Sequence, residues 1–124
     1  MTRQITTHHS NALNRALTLE AIGEPGPGGA NERYEITYAV PPNFTTLQHY
    51  PLSFQTGDPA DGINGISNEV LLAIVADRLE GFQEGPFACE TNEVALGKVK
   101  AAIRILGTRS QEREERGVEG KQCP

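Results

Sequence analysis

The sequence lacks several features that would assign the protein to another compartment. No apolar run is long enough to span a bilayer, and residues 1–4 do not open a signal peptide. There are two cysteines, Cys89 and Cys123, and free thiols in a reducing cytosol fit this number better than a disulfide. We therefore expect the protein to act in the cytoplasm in which it is made.

Positive charge and apolar side chains are also scarce. The chain has 11 lysines and arginines against 16 aspartates and glutamates, which gives a net charge of −5. Because binding to long nucleic acid depends on a basic surface, this balance argues against such a partner, although a local basic pocket could hold a small phosphate-bearing ligand. Hydrophobic residues make up 37% of the chain. A lone protomer would therefore have a thin core, and we expect burial between copies.

The sequence carries no pattern typical of catalysis or of metal binding. No nucleophile motif surrounds its serines, and the histidines at positions 8, 9 and 49 lack the usual spacing of metal ligands. Residues 23–31 are rich in glycine but lack the Gly-Lys-Ser/Thr ending of a phosphate loop, so they are predicted to connect a hairpin. Cys89 has no obvious base nearby, and we expect it to be a small buried hydrophobe. We predict no catalytic residue, no metal and no cofactor.

Residues 1–56 show the patterns of a small antiparallel β-sheet. Strands are predicted over residues 16–22 and 33–40, where β-branched and aromatic residues concentrate, and within residues 46–55. Pro51 marks the last of these as an edge strand or a bulge, because proline cannot donate a ladder hydrogen bond. A further short strand is expected within residues 1–14.

Residues 67–117 are predicted to form a hairpin of two antiparallel helices. The first helix begins with Ser67 as its N-cap and is stopped by the glycines and the proline of residues 81–86. Seven consecutive apolar residues, 70–76, leave this helix no polar face for a turn and a half. It must therefore be covered on more than one side, by the sheet or by another copy of the chain. The second helix is predicted over residues 89–116, with Gly117 ending it.

Together these patterns predict an α+β fold. Residues 57–66, which are rich in turn formers, connect the β-rich part to the helical hairpin, and residues 118–124 form a tail. We expect residues 1–124 to form one domain that assembles as an oligomer.

Three arginines lie along one edge of the second predicted helix. At 100° per residue, Arg109, Arg113 and Arg116 fall within a sector of about 60° that borders the apolar stripe. Guanidinium groups make planar, bidentate contacts with phosphates and stack on bases. This edge is therefore a candidate phosphate-binding surface. The alternative is a solvated helix end whose arginines pair with neighbouring glutamates.

Phe82 and Asn92 lie where the two predicted helices meet. An aromatic ring can stack on a base, and an asparagine amide can donate and accept at an adenine edge. Each residue also has a plain structural interpretation, Phe82 as part of the core and Asn92 as a helix-start residue.

The hairpin separates these two groups of residues. At 1.5 Å per residue, Arg109 and Arg113 lie about 25–30 Å from Asn92. One protomer cannot gather all of them around one small ligand, whereas a second hairpin packed antiparallel against the first could. If the residues share a site, it lies between subunits.

Several segments resemble the phage-encoded Thoeris anti-defence protein 1 family. The resemblance is carried by residues 65–79 (GISNEVLLAIVADRL), Gly81-Phe82-Gln83, Gly85-Pro86-Phe87, Thr108-Arg109, Arg113 and Arg116-Gly117-Val118-Glu119-Gly120. Residues 31–36 (NERYEI) support it upstream.

The resemblance implies a sponge rather than an enzyme. Members of the family bind cyclic ADP-ribose isomers, such as glycocyclic ADP-ribose, that the TIR-domain protein of the Thoeris defence system makes, and they hold the signal intact. They are homo-oligomers, dimers or hexamers, with pockets between protomers, and some bind cyclic trinucleotides at separate sites. By resemblance, Phe82 stacks on the base, Asn92 makes a polar contact, and Arg109 and Arg113 bind the pyrophosphate. The protein would act in the cytoplasm of the infected bacterial host, without a membrane or long nucleic acid as partner.

The residues alone do not exclude two other functions. One is a small nucleic-acid-binding accessory protein that places the arginine-bearing C-terminal helix in a groove, although the acidic total weighs against it. The other is an enzyme that degrades the same signal.

Overall fold

The computed structural model describes residues 1–115, apart from the side chains of Arg113 and Glu115. The chain forms two compact units. One consists of Met1–Thr56 with Gly62–Gly65, and the other of Gly57–Asp61 with the described residues from Ile66 onward. The predicted single domain of residues 1–124 stays a prediction.

The first unit contains a four-stranded antiparallel sheet. Its strands are β1 (Thr2–Ile5), β2 (Thr18–Ile22), β3 (Arg33–Val40) and β4 (Thr46–Ser53). They pair in chain order, with Glu20 opposite Glu35 and Ile36 opposite Tyr50. The predicted sheet is confirmed, and β4 is an edge strand of it, as Pro51 indicated.

A short helix, α1 (Ala12–Ala16), precedes β2 and was not predicted. The side chain of Asn11 caps it by accepting a hydrogen bond from the backbone N–H of Asn14 at 2.9 Å. Because α1 takes up Ala16, β2 begins at Thr18, and the predicted strand start at residue 16 was wrong.

The connection between β2 and β3 is fixed by Asn31, which is buried. Its side-chain nitrogen donates to the carbonyl oxygen of Gly23 at 3.0 Å, and its oxygen accepts from Arg3 at 3.2 Å. These bonds join the predicted hairpin connection to β1, since Arg3 belongs to that strand. The core beneath it is thin: Ala21 is fully buried, and no large side chain of the described residues is.

Two tyrosines pair on the surface of β3 and β4. The rings of Tyr38 and Tyr50 stack with centroids 5.9 Å apart, and their hydroxyl oxygens are 3.4 Å apart. This hydrogen bond to Tyr50 raises the pKa of Tyr38 above its ordinary value.

The second unit contains the helical hairpin, α2 (Asn68–Gln83) and α3 (Glu90–Glu115). Ser67 caps α2 as predicted, accepting from the N–H of Val70 at 3.2 Å. The Ser110 hydroxyl donates to Glu69 at 2.9 Å, so the end of α3 lies beside the start of α2. At the other end Gln83 bonds Glu93. The helices are therefore antiparallel, as predicted.

The end of α2 falls within residues 81–86, as predicted. Gly81 itself does not stop the helix, which continues to Gln83 before the chain turns. The intrahelical bonds of α2 and its packing on α3 outweigh the modest cost of one glycine in a helix interior. Arg116, Gly117 and the tail 118–124 lie outside the described residues.

The hairpin buries small and apolar residues between its helices, with Ala76 and Leu96 the most buried. Val70, Ile74 and Val75 are instead exposed, at 43%, 55% and 43% of their surface. That another copy of the chain covers these three residues stays a prediction.

Within residues 1–115, no helix combines the length and the apolar character that a membrane crossing requires.

Candidate functional site

Two phenylalanines lie at the turn of the hairpin. Phe82 belongs to the last turn of α2 and Phe87 to the connection that follows, and their rings meet edge to face with centroids 6.3 Å apart. Phe82 is 37% exposed and Phe87 is 70% exposed. Phe82 is therefore not a core residue, and both rings can be reached by a ligand.

Gln83 holds the connection in place. Its side-chain oxygen accepts from the backbone N–H of Cys89 at 3.0 Å, and its nitrogen donates to Glu93 at 3.1 Å. One amide thus bonds both the end of the connection and the first turns of α3. A turn restrained on this side loses less conformational freedom when a ligand binds to it.

Asn92 is half-buried in the first turn of α3, and its contacts also reach the connection. Its side-chain nitrogen donates to the carbonyl oxygen of Phe87 at 3.3 Å, and its backbone N–H donates to Cys89 Sγ at 3.4 Å. Cys89 is exposed, so the expectation of a buried residue was wrong. Its sulfur accepts a hydrogen bond from an N–H that the helix itself leaves unpaired. This bond holds the Cys89 side chain at the surface.

Arg78 adds a positive charge to this end of the hairpin. Its guanidinium carbon lies 5.5 Å from the centroid of the Phe82 ring, in a cation–π arrangement. We call Arg78, Phe82, Phe87 and Asn92 the aromatic cluster. Sequence reasoning missed two of its members. Arg78 could have been found from its position four residues before Phe82, on the same helix face.

Arg109 lies far from the aromatic cluster. It is 17 residues beyond Asn92 on α3, which corresponds to about 25 Å along the helix. It is exposed, and it forms no ion pair with any side chain that the structure describes. The backbone of Arg113 lies one turn further along α3, and its side chain is outside the described part.

The structure therefore brings together two of the four predicted site residues. Phe82 and Asn92 both belong to the aromatic cluster, whereas Arg109 lies at the opposite end of the hairpin. Chemically, the cluster offers aromatic surface and an amide, and the distant end offers a guanidinium. The separation of Phe82 and Asn92 from Arg109 was predicted from the antiparallel arrangement of the hairpin and the length of its second helix.

Comparison with known proteins agrees with the sequence motifs. No family model matches the chain. The protein "Thoeris anti-defense 1" of Bacillus phage SBSphiJ7 is 44% identical over 70 residues, which are 56% of this chain and 49% of that relative. The chain thus spans about half the length of the curated relative it matches. This similarity confirms the resemblance to the Thoeris anti-defence 1 family that the motifs predicted.

Proposed function

We propose that this chain is a phage anti-defence sponge. It binds cyclic ADP-ribose isomers, glycocyclic ADP-ribose among them, that signal in the Thoeris system, and it sequesters them without degrading them. The observation that carries the proposal is the 44% identity to a phage protein named for Thoeris anti-defence. The protein would work in the cytoplasm of the infected bacterial host.

The chemistry of the hairpin supports this class of ligand. An adenine ring can stack on exposed phenylalanine, which contributes about 1–3 kcal/mol per base, and an asparagine amide can bond its edge. Guanidinium groups suit the pyrophosphate, because they make charge-assisted, bidentate hydrogen bonds. A cyclic ADP-ribose isomer carries both groups in one small molecule.

The distance between the two groups of residues supports a site shared by two copies. Asn92 and Arg109 are about 25 Å apart along one helix, which is too far for one small ligand. Two hairpins packed antiparallel would place Arg109 and Arg113 of each copy beside Phe82 and Asn92 of its partner. A two-fold arrangement of this kind creates two equivalent sites. The assembly would be a homodimer or a hexamer built from such pairs.

Sequestration and degradation can be separated by analysing the ligand after binding. Protein in excess over glycocyclic ADP-ribose is filtered, and the free ligand is measured before and after the protein is denatured. We expect depletion from solution first and full recovery of the intact ligand afterwards. In a second incubation, with ligand in excess over protein, accumulation of linear ADP-ribose beyond one equivalent per site would show that the protein is an enzyme.

Two further titrations distinguish the remaining ligands. A cyclic trinucleotide tests the second ligand class that the family resemblance implies. A duplex DNA or RNA at several salt concentrations tests the accessory nucleic-acid binder, because phosphate-backbone binding weakens steeply as salt rises. Strong, salt-dependent binding of duplex with none of the cyclic nucleotide would replace the sponge by that alternative.

A further inference from the structure

We propose that Glu69 and Ser110 are positioning residues, which hold the arginine-bearing end of α3 in place for the pyrophosphate. This role rests on the proposed function, since it concerns the same site. It follows from one hydrogen bond between the two helices, from the place of that bond along α3, and from the exposure of the helix beyond it. The role requires no contact between either residue and the ligand.

The hydrogen bond joins residues that are far apart in the chain. The Ser110 hydroxyl donates to Glu69 Oε2 at 2.9 Å, across 41 positions of sequence. Both residues are half-buried, so water competes for this bond less than it would at the surface. A carboxylate acceptor also makes the bond stronger than one between neutral groups. The whole contact lies within one chain, so each copy contains it before any assembly.

Glu69 is a firm partner because the helix start that carries it is capped. Ser67 accepts from the backbone N–H of Val70 at 3.2 Å and so orders the first turn of α2. The Glu69 carboxylate, in that turn, lies at the positive end of the helix dipole. Ser110 is therefore bonded to a part of α2 that is itself held.

The bond lies at the last position where α2 can support α3. Glu69 is the second residue of α2 and the helices are antiparallel, so residues of α3 beyond Ser110 extend past the start of α2. We call residues 111–115 the overhang of α3, which is about 7.5 Å long. Its described side chains are all exposed, namely Gln111, Glu112 and Glu114.

Both arginines of the proposed site adjoin this bond. Arg109 directly precedes Ser110, and Arg113 belongs to the overhang. A helix end without packing partners opens at little cost in free energy. A ligand that binds through such an end must also order it, which weakens binding. Because the bond anchors α3 one turn before Arg113, it lowers the ordering cost of pyrophosphate binding.

Calorimetric titration with glycocyclic ADP-ribose tests the role. Ser110→Ala and Glu69→Ala should each weaken binding about 3- to 10-fold, which is the scale for ordering one long side chain on binding. The double variant should bind as either single variant does, since both substitutions remove the same bond. Ser110→Thr keeps the hydroxyl and Glu69→Gln keeps an acceptor oxygen, so both should retain most of the affinity.

Thr108→Ala provides the matched control. Thr108 lies two residues before Ser110, but its hydroxyl donates to the carbonyl oxygen of Arg104 in the same helix, at 3.0 Å. Its removal leaves the bond between the helices intact, so the affinity should equal that of the wild type. Equal weakening in Thr108→Ala and Ser110→Ala would assign the effect to a general loosening of α3 and overturn the proposal.

Two further measurements separate positioning from a general loss of stability. Amide hydrogen exchange in Ser110→Ala should become faster in residues 111–114 and stay unchanged in α2. In an Arg113→Ala background, Ser110→Ala should weaken binding by less than about twofold, because the arginine that the bond positions is gone. Unchanged exchange in the overhang, or fully additive losses of affinity, would contradict the role.

Failure of this role and failure of the proposed function give different results. A wild-type protein that binds the ligand, with unchanged affinity in Ser110→Ala and Glu69→Ala, overturns the positioning role alone. A wild-type protein that binds no cyclic ADP-ribose isomer overturns the proposed function and this role with it.

Discussion

Gln83 shows how one side chain can organise a turn. Its amide bonds the backbone of Cys89 and the carboxylate of Glu93, so it connects the last residue of α2 with the start of α3. Asn92 bonds the same turn from the other helix. At the scale of residues, the placement of the aromatic rings therefore depends on two amides as well as on the rings.

We expect Gln83→Ala to destabilise the hairpin. Loss of two partly exposed hydrogen bonds should lower the free energy of unfolding by about 1–2 kcal/mol. Ligand affinity should fall too, since the turn that holds Phe87 becomes looser. Urea unfolding followed by circular dichroism measures the first effect. Glu84→Ala, in the same turn, is the matched control, and an equal loss in both variants would contradict the role of the amide.

We expect Arg109→Ala and Arg113→Ala each to weaken ligand binding without unfolding the protein. Loss of one charge-assisted contact should cost about 1.5–3 kcal/mol of binding free energy. Arg109 is exposed and forms no ion pair with any side chain that the structure describes. The substitution should therefore leave the melting temperature unchanged. Calorimetric titration beside melting curves provides the measurement.

Arg104 supplies the control for this pair of variants. It is exposed on the same helix but lies about 140° around the axis from Arg109. Arg104→Ala should bind as the wild type does. Wild-type affinity in both Arg109→Ala and Arg113→Ala would remove the arginines from the proposed site.

At the scale of elements, side-chain hydrogen bonds join α2 and α3 at both ends of the hairpin. The bond from Ser110 to Glu69 lies at one end, and that from Gln83 to Glu93 at the other. Ser67 sets where α2 begins, because its hydroxyl satisfies an N–H that the helix itself leaves unpaired. Register between the helices is thus fixed by polar contacts at their ends and by apolar packing between them.

We expect Ser67→Ala to reduce the free energy of unfolding by about 1 kcal/mol, the usual cost of a lost N-cap. Ser67→Asp should retain most of the stability, because a carboxylate can accept the same bond and favours the positive end of the helix dipole. Equal stability of the alanine and aspartate variants in urea unfolding would show that the cap contributes little.

At the scale of the whole molecule, exposed apolar surface on α2 is the feature that a single chain does not explain. Val70, Ile74 and Val75 lie in the unbroken apolar run, yet each exposes two fifths or more of its surface. Because each side chain is already about half covered, complete burial would contribute about 1 kcal/mol apiece. A second copy packed on α2 would supply that burial, and it would also complete the proposed ligand site.

We expect Ile74→Asp to give monomers or aggregates and to abolish ligand binding, because a carboxylate would be buried without a partner at the interface. Light scattering coupled to size-exclusion chromatography measures the assembly. Leu13→Asp, at an apolar residue of α1 that is 66% exposed, should keep the wild-type assembly. A monomeric wild type that still binds ligand would exclude the shared site.

The sequence by itself determined most of the elements. Strand β3, the edge position of β4, the Ser67 cap and the antiparallel hairpin all follow from signals within a few residues of one another. Such signals are local, since alternation, helical periodicity and capping act over one or two turns. The separation of Asn92 from Arg109 followed as well, because the rise of a helix is fixed.

Only the tertiary structure decided how the turn of the hairpin presents its side chains. The position of Arg78 over Phe82, the bond from Asn92 to the Phe87 carbonyl and the exposure of Cys89 depend on residues held together by packing. Which of two phenylalanines offers a free face depends on the area that neighbours cover. No periodicity encodes that area, because it arises only when α2 and α3 pack against each other.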